Sequence, residues 1–366
     1  MTKTMIGFHM KRLYPRHYVL VLSLLLILTV NVGVIDSFQI DMTEHATEPT
    51  KILLVLDHEY GMNVYFIITI FERYGWEITT TALNKTVSSC DYQVDTPFEV
   101  DFLLSDISNV AVYDAISIMP GESHENLRTN ATALNLIQTA VQQNVIVSAW
   151  CRAVRVLAAA DVIDGKNVTG NAEYSLEYEA AGATFFELVP PIIDGNIVTG
   201  VRSRFYREEM CQAIATAVGV YEDNPPTLVS VVVNPEIVEI NTNVQVTVDL
   251  EDVTGINQVN CKVFELNDTG FRISTEPLYD VKLEQMSSEL SFNGTITDLA
   301  IGNYSIDIIA YDVYLNQAEF VDVAGVLVVE EIPQDTGLGL FQWFILGGAT
   351  TAIVGLAALG FFLRKR

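Results

Sequence analysis

The stretch Val145–Val162 reads VIVSAWCRAVRVLAAADV and carries the clearest fold signal in the chain. Val145, Ile146 and Val147 form a short β-branched run, the signal of a buried strand. Helix formers begin at Arg152 and continue through three alanines to Val162. Between the two sits Cys151. A residue at a tight strand-to-helix turn is held above the sheet edge, with the positive end of the following helix aimed at it. The spacing therefore predicts a presented cysteine whose thiolate is favoured.

On either side of this stretch strands and helices alternate. Lys51–Asp57 (KILLVLD) reads as a buried parallel strand, Val64–Tyr74 as a helix closed by Gly75, and Trp76–Leu83 as a second strand. Residues 84–108 form a longer excursion. Tyr113–Met119 is the next strand, ending at Pro120-Gly121, and residues 130–143 are helical. Ile197–Gly200 and a helix over Phe205–Val218 complete the pattern. Such alternation predicts an α/β domain with a doubly wound parallel sheet over residues 50–222. Ligand sites in these sheets lie beyond the carboxyl ends of the strands. Three strand ends should meet there, bringing His58 and Glu59, then Gly121, Glu122 and His124, then Cys151 and Arg152.

Ala149-Trp150-Cys151-Arg152-Ala153-Val154 followed by Leu157-Ala158-Ala159-Ala160 resembles the DJ-1/PfpI family, part of the class I glutamine amidotransferase-like group. That family usually reads A-[IV]-C-H-G-P or A-x-C-A-G-P before a helix with Leu-Leu-Ala. The likeness runs from about Lys51 to about Val220 and implies a flavodoxin-like sheet. It implies that Cys151 is a nucleophile, that Glu59 (one residue out of register) lies near its sulfur, and that Gly121 helps to hold an oxyanion. It also implies dimerisation, so a homo-oligomer is an expected partner state.

The chain departs from the family at four points. Arg152 stands where peptidase-like members have His. Asn171 stands where glyoxalase-like members have theirs. Ala153-Val154 replaces Gly-Pro, and Glu122 replaces the second Gly of a Gly-Gly turn. His58 and His124 are then the candidate general bases, each more readily read as an exposed loop histidine. Arg152 either lowers the thiol pKa and binds a carboxylate substrate, or forms a surface ion pair with Glu59 or Glu122. Cys90 and Cys211 are candidates for a disulfide if the domain is exported.

After Asn224-Pro225-Pro226 the pattern switches to period two. Val244, Val246, Val248 and Leu250 alternate with polar residues, as do Val259, Cys261 and Val263, and Ile306 and Ile308. This predicts an all-β sandwich over residues 225–331, and DVTGINQV and AYDVYLNQ resemble turns of immunoglobulin-like modules. Asp249, Glu251, Asp252 and Asp312 read as solvated turn acids, without a specific calcium spacing. No metal site and no cofactor motif is expected.

Both ends carry apolar runs. Residues 1–37 hold Lys3, Lys11, Arg12 and Arg16, then apolar Tyr18–Ile35, predicting a signal peptide or N-terminal membrane anchor. A tether at residues 332–340 leads to Phe341–Leu363, long enough for a transmembrane helix, and then to the basic tail 364–366, which marks the cytoplasmic side. The expected arrangement is a cell-membrane protein, single-pass or two-pass, with extracytoplasmic domains and the lipid bilayer as a partner. Sequons at Asn84, Asn130, Asn167, Asn267, Asn293 and Asn303 suit an exported glycoprotein. With 20 basic against 46 acidic residues and a formal charge of −26, a nucleic-acid partner is excluded.

Three functions follow. The first is a cysteine-dependent hydrolase or lyase acting on a carbonyl or acyl carbon of a small molecule or peptide. Glutamine amidotransfer is disfavoured, because no downstream Cys–His–Glu pattern is apparent. The second is a non-catalytic binding or structural module at the cell surface. The third is thiol redox sensing, which needs Cys151 but no base.

Overall fold

The computed structural model describes residues 48–90, 96–288 and 290–332. The expected N-terminal signal or anchor, the span at 341–363 and the tail lie outside them. Among the described residues no helix is long and apolar enough to cross a membrane.

The first domain is built on a seven-stranded sheet. Its strands are β1 (Lys51–Leu56), β2 (Glu77–Ala82), β3 (Phe102–Leu103), β4 (Ala115–Ile118), β5 (Ile146–Trp150), β6 (Ile192–Asp194) and β7 (Ile197–Gly200). The spatial order is β6-β7-β5-β4-β1-β2-β3. Only the β6–β7 pair is antiparallel. Strands β4 and β5 are buried along their whole length, as expected of a parallel sheet covered on both faces.

Helices cover both faces. One face packs α1 (Asn63–Arg73) and α6 (Arg207–Val218) over a core that includes Leu54, Phe71, Trp76 and Ile214. The other packs α2 (Glu125–Thr129), α3 (Ala131–Gln142) and α4 (Val154–Ala159) over Leu53, Ile116, Ile137 and Leu157. A further helix, α5 (Ser175–Ala180), buries Tyr178 against the same core. Helix α3 starts where Asn130 caps it, its Oδ1 accepting the Thr132 and Ala133 N–H groups.

The helix after Cys151 is shorter than its alanines suggest. Residues Cys151–Ala153 form a 3₁₀ turn, and the α-helix ends at Ala159 before Asp161 adopts φ 56°. Ala160 and Val156 are buried against the sheet, so packing rather than propensity sets its length.

The second domain is β-rich. Its strands are β8 (Thr227–Asn234), β9 (Ile237–Glu239), β10 (Val244–Glu251), β11 (Ile256–Leu266), β12 (Tyr279–Gln285), β13 (Ser291–Ile296), β14 (Gly302–Asp312) and β15 (Gln317–Val329). They run in the order β8-β10-β13-β12-β11-β14-β15-β9. Val244, Val246, Val248 and Leu250 point inward, and Cys261 sits fully buried among Val259, Val263 and Ile308. Period-two alternation places these residues on one face.

The turn after β14 inserts Tyr314 into the first domain. It is 3% exposed and belongs to the α1/α6 core. Its ring lies 4.5 Å from Tyr74 and 5.0 Å from Tyr221, centroid to centroid. Gln212 Nε2 donates to the Tyr314 carbonyl (2.9 Å), and the Tyr314 hydroxyl donates to the Val220 carbonyl (3.1 Å). Asn224-Pro225-Pro226 therefore joins two domains that also share a packed seam.

Asp312 departs from the solvated-acid expectation. It is fully buried, and its carboxylate accepts the Asn316 N–H and Nδ2–H groups. Asp249 is also engaged, accepting the Ser230 and Ser291 hydroxyls at 2.6 and 2.7 Å, which hold its pKa below the usual range. Cys90 and Cys211, candidates for a disulfide, are not bridged. Cys211 is an unpaired thiol, fully buried on the inward face of α6, while Cys90 is exposed.

Candidate active site at the Cys151 elbow

Cys151 occupies φ 54°, a left-handed conformation that L-residues rarely adopt. Strand β5 ends at Trp150, which is fully buried and donates its Nε1–H to Ser117 Oγ (3.0 Å). That bond ties the end of β5 to β4, and the chain must turn sharply to enter the 3₁₀ turn. Asn171 N–H donates to the Cys151 carbonyl (3.2 Å) and fixes the turn from the other side. Strain of this kind persists only where surrounding packing determines it, and it clusters at functional sites.

Burial pushes the Cys151 thiol above its ordinary range. The Arg152 backbone N–H and guanidinium, and then Arg202, pull it down, while Glu122 pushes it up. The thiolate expected from the elbow alone is therefore not favoured at neutral pH. Desolvation outweighs the neighbouring cations, and the following α-helix has only six residues.

Arg152 spans the mouth of the site, with Nη1 2.8 Å from Glu122 and Nη2 3.8 Å from Glu173. Glu59, the carboxylate expected near the sulfur, is exposed at φ 62°. No hydrogen bond joins it to Cys151 among the described residues. Its carbonyl instead accepts the Glu122 N–H (3.0 Å), part of a bridge in which Gly61 N–H donates to Pro120 O (3.0 Å). The Glu122 N–H is thereby consumed, so of this turn only the Gly121 N–H is left for an oxyanion.

The two histidines are separated. His124 is 1% exposed at φ 58°, with its ring against Gly121 and its Nε2 2.9 Å from the Met119 carbonyl. That bond makes Nε2 the protonated nitrogen and leaves Nδ1 as a buried acceptor without a partner. Burial lowers the His124 pKa, so the imidazole is neutral. His58 is exposed and lines a different cavity of ≈ 250 Å³, with Asp57, Leu83, Asn84, Val87 and Asn126. Asp57 there accepts the His58 N–H (2.7 Å) and the Leu127 N–H (3.3 Å).

Four contributors were not read from the sequence. Arg155, one helical turn beyond Cys151, is 6% exposed. It pairs with Glu125 and Glu177 (both 3.0 Å), donates to the Ser123 carbonyl (2.9 Å), and stacks on Tyr174 (4.1 Å). It thus clamps the His124 loop to α5. Tyr178 is fully buried, and its hydroxyl lies beside the elbow near the Asn171 N–H, which also donates to the Cys151 carbonyl. Glu173 and Arg202 complete the mouth. An arginine on an otherwise apolar helix turn is the one sequence signal that pointed to Arg155. Of the sequons, Asn84, Asn167 and Asn267 are exposed, and Asn130, Asn293 and Asn303 are half-buried.

Residues 50–216 match the DJ-1/PfpI family model. Protein DJ-1 homolog D of Arabidopsis thaliana is 31% identical over 106 residues, 28% of this chain and 27% of that protein. This chain thus spans about a quarter of the plant protein's length. An uncharacterized protease, YdeA, of Bacillus subtilis is 27% identical over 124 residues, 34% of this chain and 59% of that protein. Among solved structures, a ThiJ/PfpI domain protein from Brachyspira murdochii aligns with a TM-score of 0.41 at 21% identity, covering 47% of this chain and 97% of that one.

Proposed function

We propose that the DJ-1/PfpI family domain at residues 50–216 presents Cys151 as a nucleophile toward a carbonyl or acyl carbon, in hydrolase or lyase chemistry. The strained φ of 54° at the strand-to-helix elbow carries this reading. Sγ donates an electron pair to the carbonyl carbon and a C–S bond forms. The C=O π pair moves to oxygen, and the thiol proton reaches that oxygen through water. The Gly121 N–H and the elbow N–H groups stabilise the developing charge. Arg152 holds its neighbours in place through Glu122 and Glu173.

A second reading, a binding module with a degenerate site, is favoured by one observation. The His124 imidazole donates its Nε2–H to the Met119 carbonyl, and among the described residues no hydrogen bond joins it to Cys151. We further propose that the apolar runs at 18–35 and 341–363 anchor the chain, that both domains lie outside the cell, and that the β-rich domain is an immunoglobulin-like spacer.

The test is Cys151 alkylation against pH in the full chain in detergent, read at that residue by mass spectrometry with Cys151→Ser as the blank. Saturable labelling, with an aldehyde, ester or peptide that protects Cys151, supports the nucleophile. An unreactive Cys151 across the titration leaves the binding module standing.

A further inference from the structure

We infer that the Cys151 site selects an anionic substrate, a small carbonyl compound bearing a carboxylate, and that Arg202 is the residue that reads its charge. This rests on the nucleophile reading above and names its substrate class.

The sheet register places Arg202. Strand β7 pairs with β5 in parallel, Ile197 beside Val147 and Gly200 beside Trp150. The residues that follow the two strands therefore leave the sheet side by side, Val201-Arg202 next to Cys151-Arg152. Arg202 acts on the Cys151 sulfur across this gap.

The two arginines at the mouth differ in what they hold. Arg152 is occupied by Glu122 and Glu173. Arg202 is exposed and has no ion pair, side-chain hydrogen bond or ring partner among the described residues. Other described arginines are engaged. Arg73, Arg128, Arg155 and Arg272 pair with acids, and Arg204 and Arg207 lie over Phe205 and Phe66. In a chain with 46 acidic and 20 basic residues, an unpaired guanidinium beside the candidate nucleophile is the exception. A planar guanidinium matches a carboxylate in two parallel hydrogen bonds. The substrate then has its carbonyl at Sγ and its carboxylate a few ångströms away on the β7 side.

The test compares two alkylating reagents on the full chain in detergent, iodoacetate (anionic) and iodoacetamide (neutral), with the adduct at Cys151 quantified by mass spectrometry. Both consume the same thiolate, so their rate ratio cancels any change in thiol pKa. Arg202→Gln is expected to lower the iodoacetate-to-iodoacetamide ratio about two- to fivefold, the worth of an exposed ion pair. Arg202→Lys keeps most of it, and added salt lowers the wild-type ratio. An unchanged ratio in Arg202→Gln, with iodoacetamide still labelling Cys151, overturns the anion inference alone. Failure of both reagents to label Cys151 at any pH overturns the nucleophile reading and this inference together.

Discussion

The Arg152 guanidinium and the Glu122 carboxylate meet at 2.8 Å beside the Cys151 elbow, and they act on the sulfur with opposite sign. Glu122→Gln removes the charge that opposes ionisation and releases Arg152 toward the sulfur. The alkylation midpoint of Cys151 is expected to fall by a few tenths of a pH unit, while Arg152→Gln raises it by a similar amount. Both shifts are small because Glu122 is exposed and water screens the pair. Shifts of the same sign in the two variants would break this account.

Gly170 sits against the elbow. A Cβ there would lie 3.1 Å from Val154 Cγ2 and 3.2 Å from both the Cys151 carbonyl and the Tyr178 hydroxyl. These neighbours are buried or held by hydrogen bonds, so relief is limited. Gly170→Ala is expected to destabilise the protein by about 1–2 kcal/mol, read by denaturant unfolding, and to change the alkylation rate of Cys151. A neutral Gly170→Ala would show that the elbow yields.

Tyr178→Phe deletes a buried hydroxyl whose neighbouring donor, the Asn171 N–H, is already engaged by the Cys151 carbonyl. Because that N–H keeps its carbonyl partner, losing the hydroxyl leaves packing intact and costs little. Stability should stay within about 1 kcal/mol of wild type, or rise. A larger loss would mean that the hydroxyl makes a structural bond.

How much of this was readable from the chain depended on whether the signal was local. The β-branched run before Trp150 and the break at Cys151 are local, and the strand and elbow follow from them. The loops at the other strand ends are not local. Glu59 and His124 both adopt positive φ, set by the Tyr60–Gly121 bridge and by Arg155 clamping α5. Their side-chain directions are tertiary outcomes that residue identity does not encode, so Glu59 turned outward and His124 inward. Asp312 was misread for a related reason. Alternation along β14 gives its face but not that the following turn buries Tyr314 in another domain.

Tyr314 is the aromatic centre of the seam between the domains, beside Asn316, whose Nδ2–H donates to the Glu222 carbonyl (3.0 Å). Its ring touches Tyr74 and Tyr221, and its hydroxyl and carbonyl both bond across the seam. Tyr314→Ala is expected to cost about 3–5 kcal/mol, by analogy with other buried aromatic truncations. Thermal unfolding should then resolve into two transitions. A single transition at the wild-type temperature would mean that the domains are joined by other means.

Beneath that seam Glu222, Asp252 and Asp312 bring their carboxylate oxygens within 4.8 Å of one another. Burial pushes the Asp312 carboxyl up to about 6, with Asp252 and Glu222 adding to the rise and the Asn316 hydrogen bonds opposing it. An unfolded aspartate titrates near about 3.9. The folded state therefore holds the proton more tightly, and this contribution is fully present below about pH 4 and lost as pH rises through about 6. Between those limits the loss is about 2 kcal/mol. Asp312→Asn carries no titrating group at this position, so the stability difference between it and wild type should shift in the variant's favour as pH rises from 4 to 7. Denaturant unfolding at closely spaced pH values measures that difference directly. A difference that stays flat across the window would show that Asp312 titrates in the folded protein as it does in the unfolded chain.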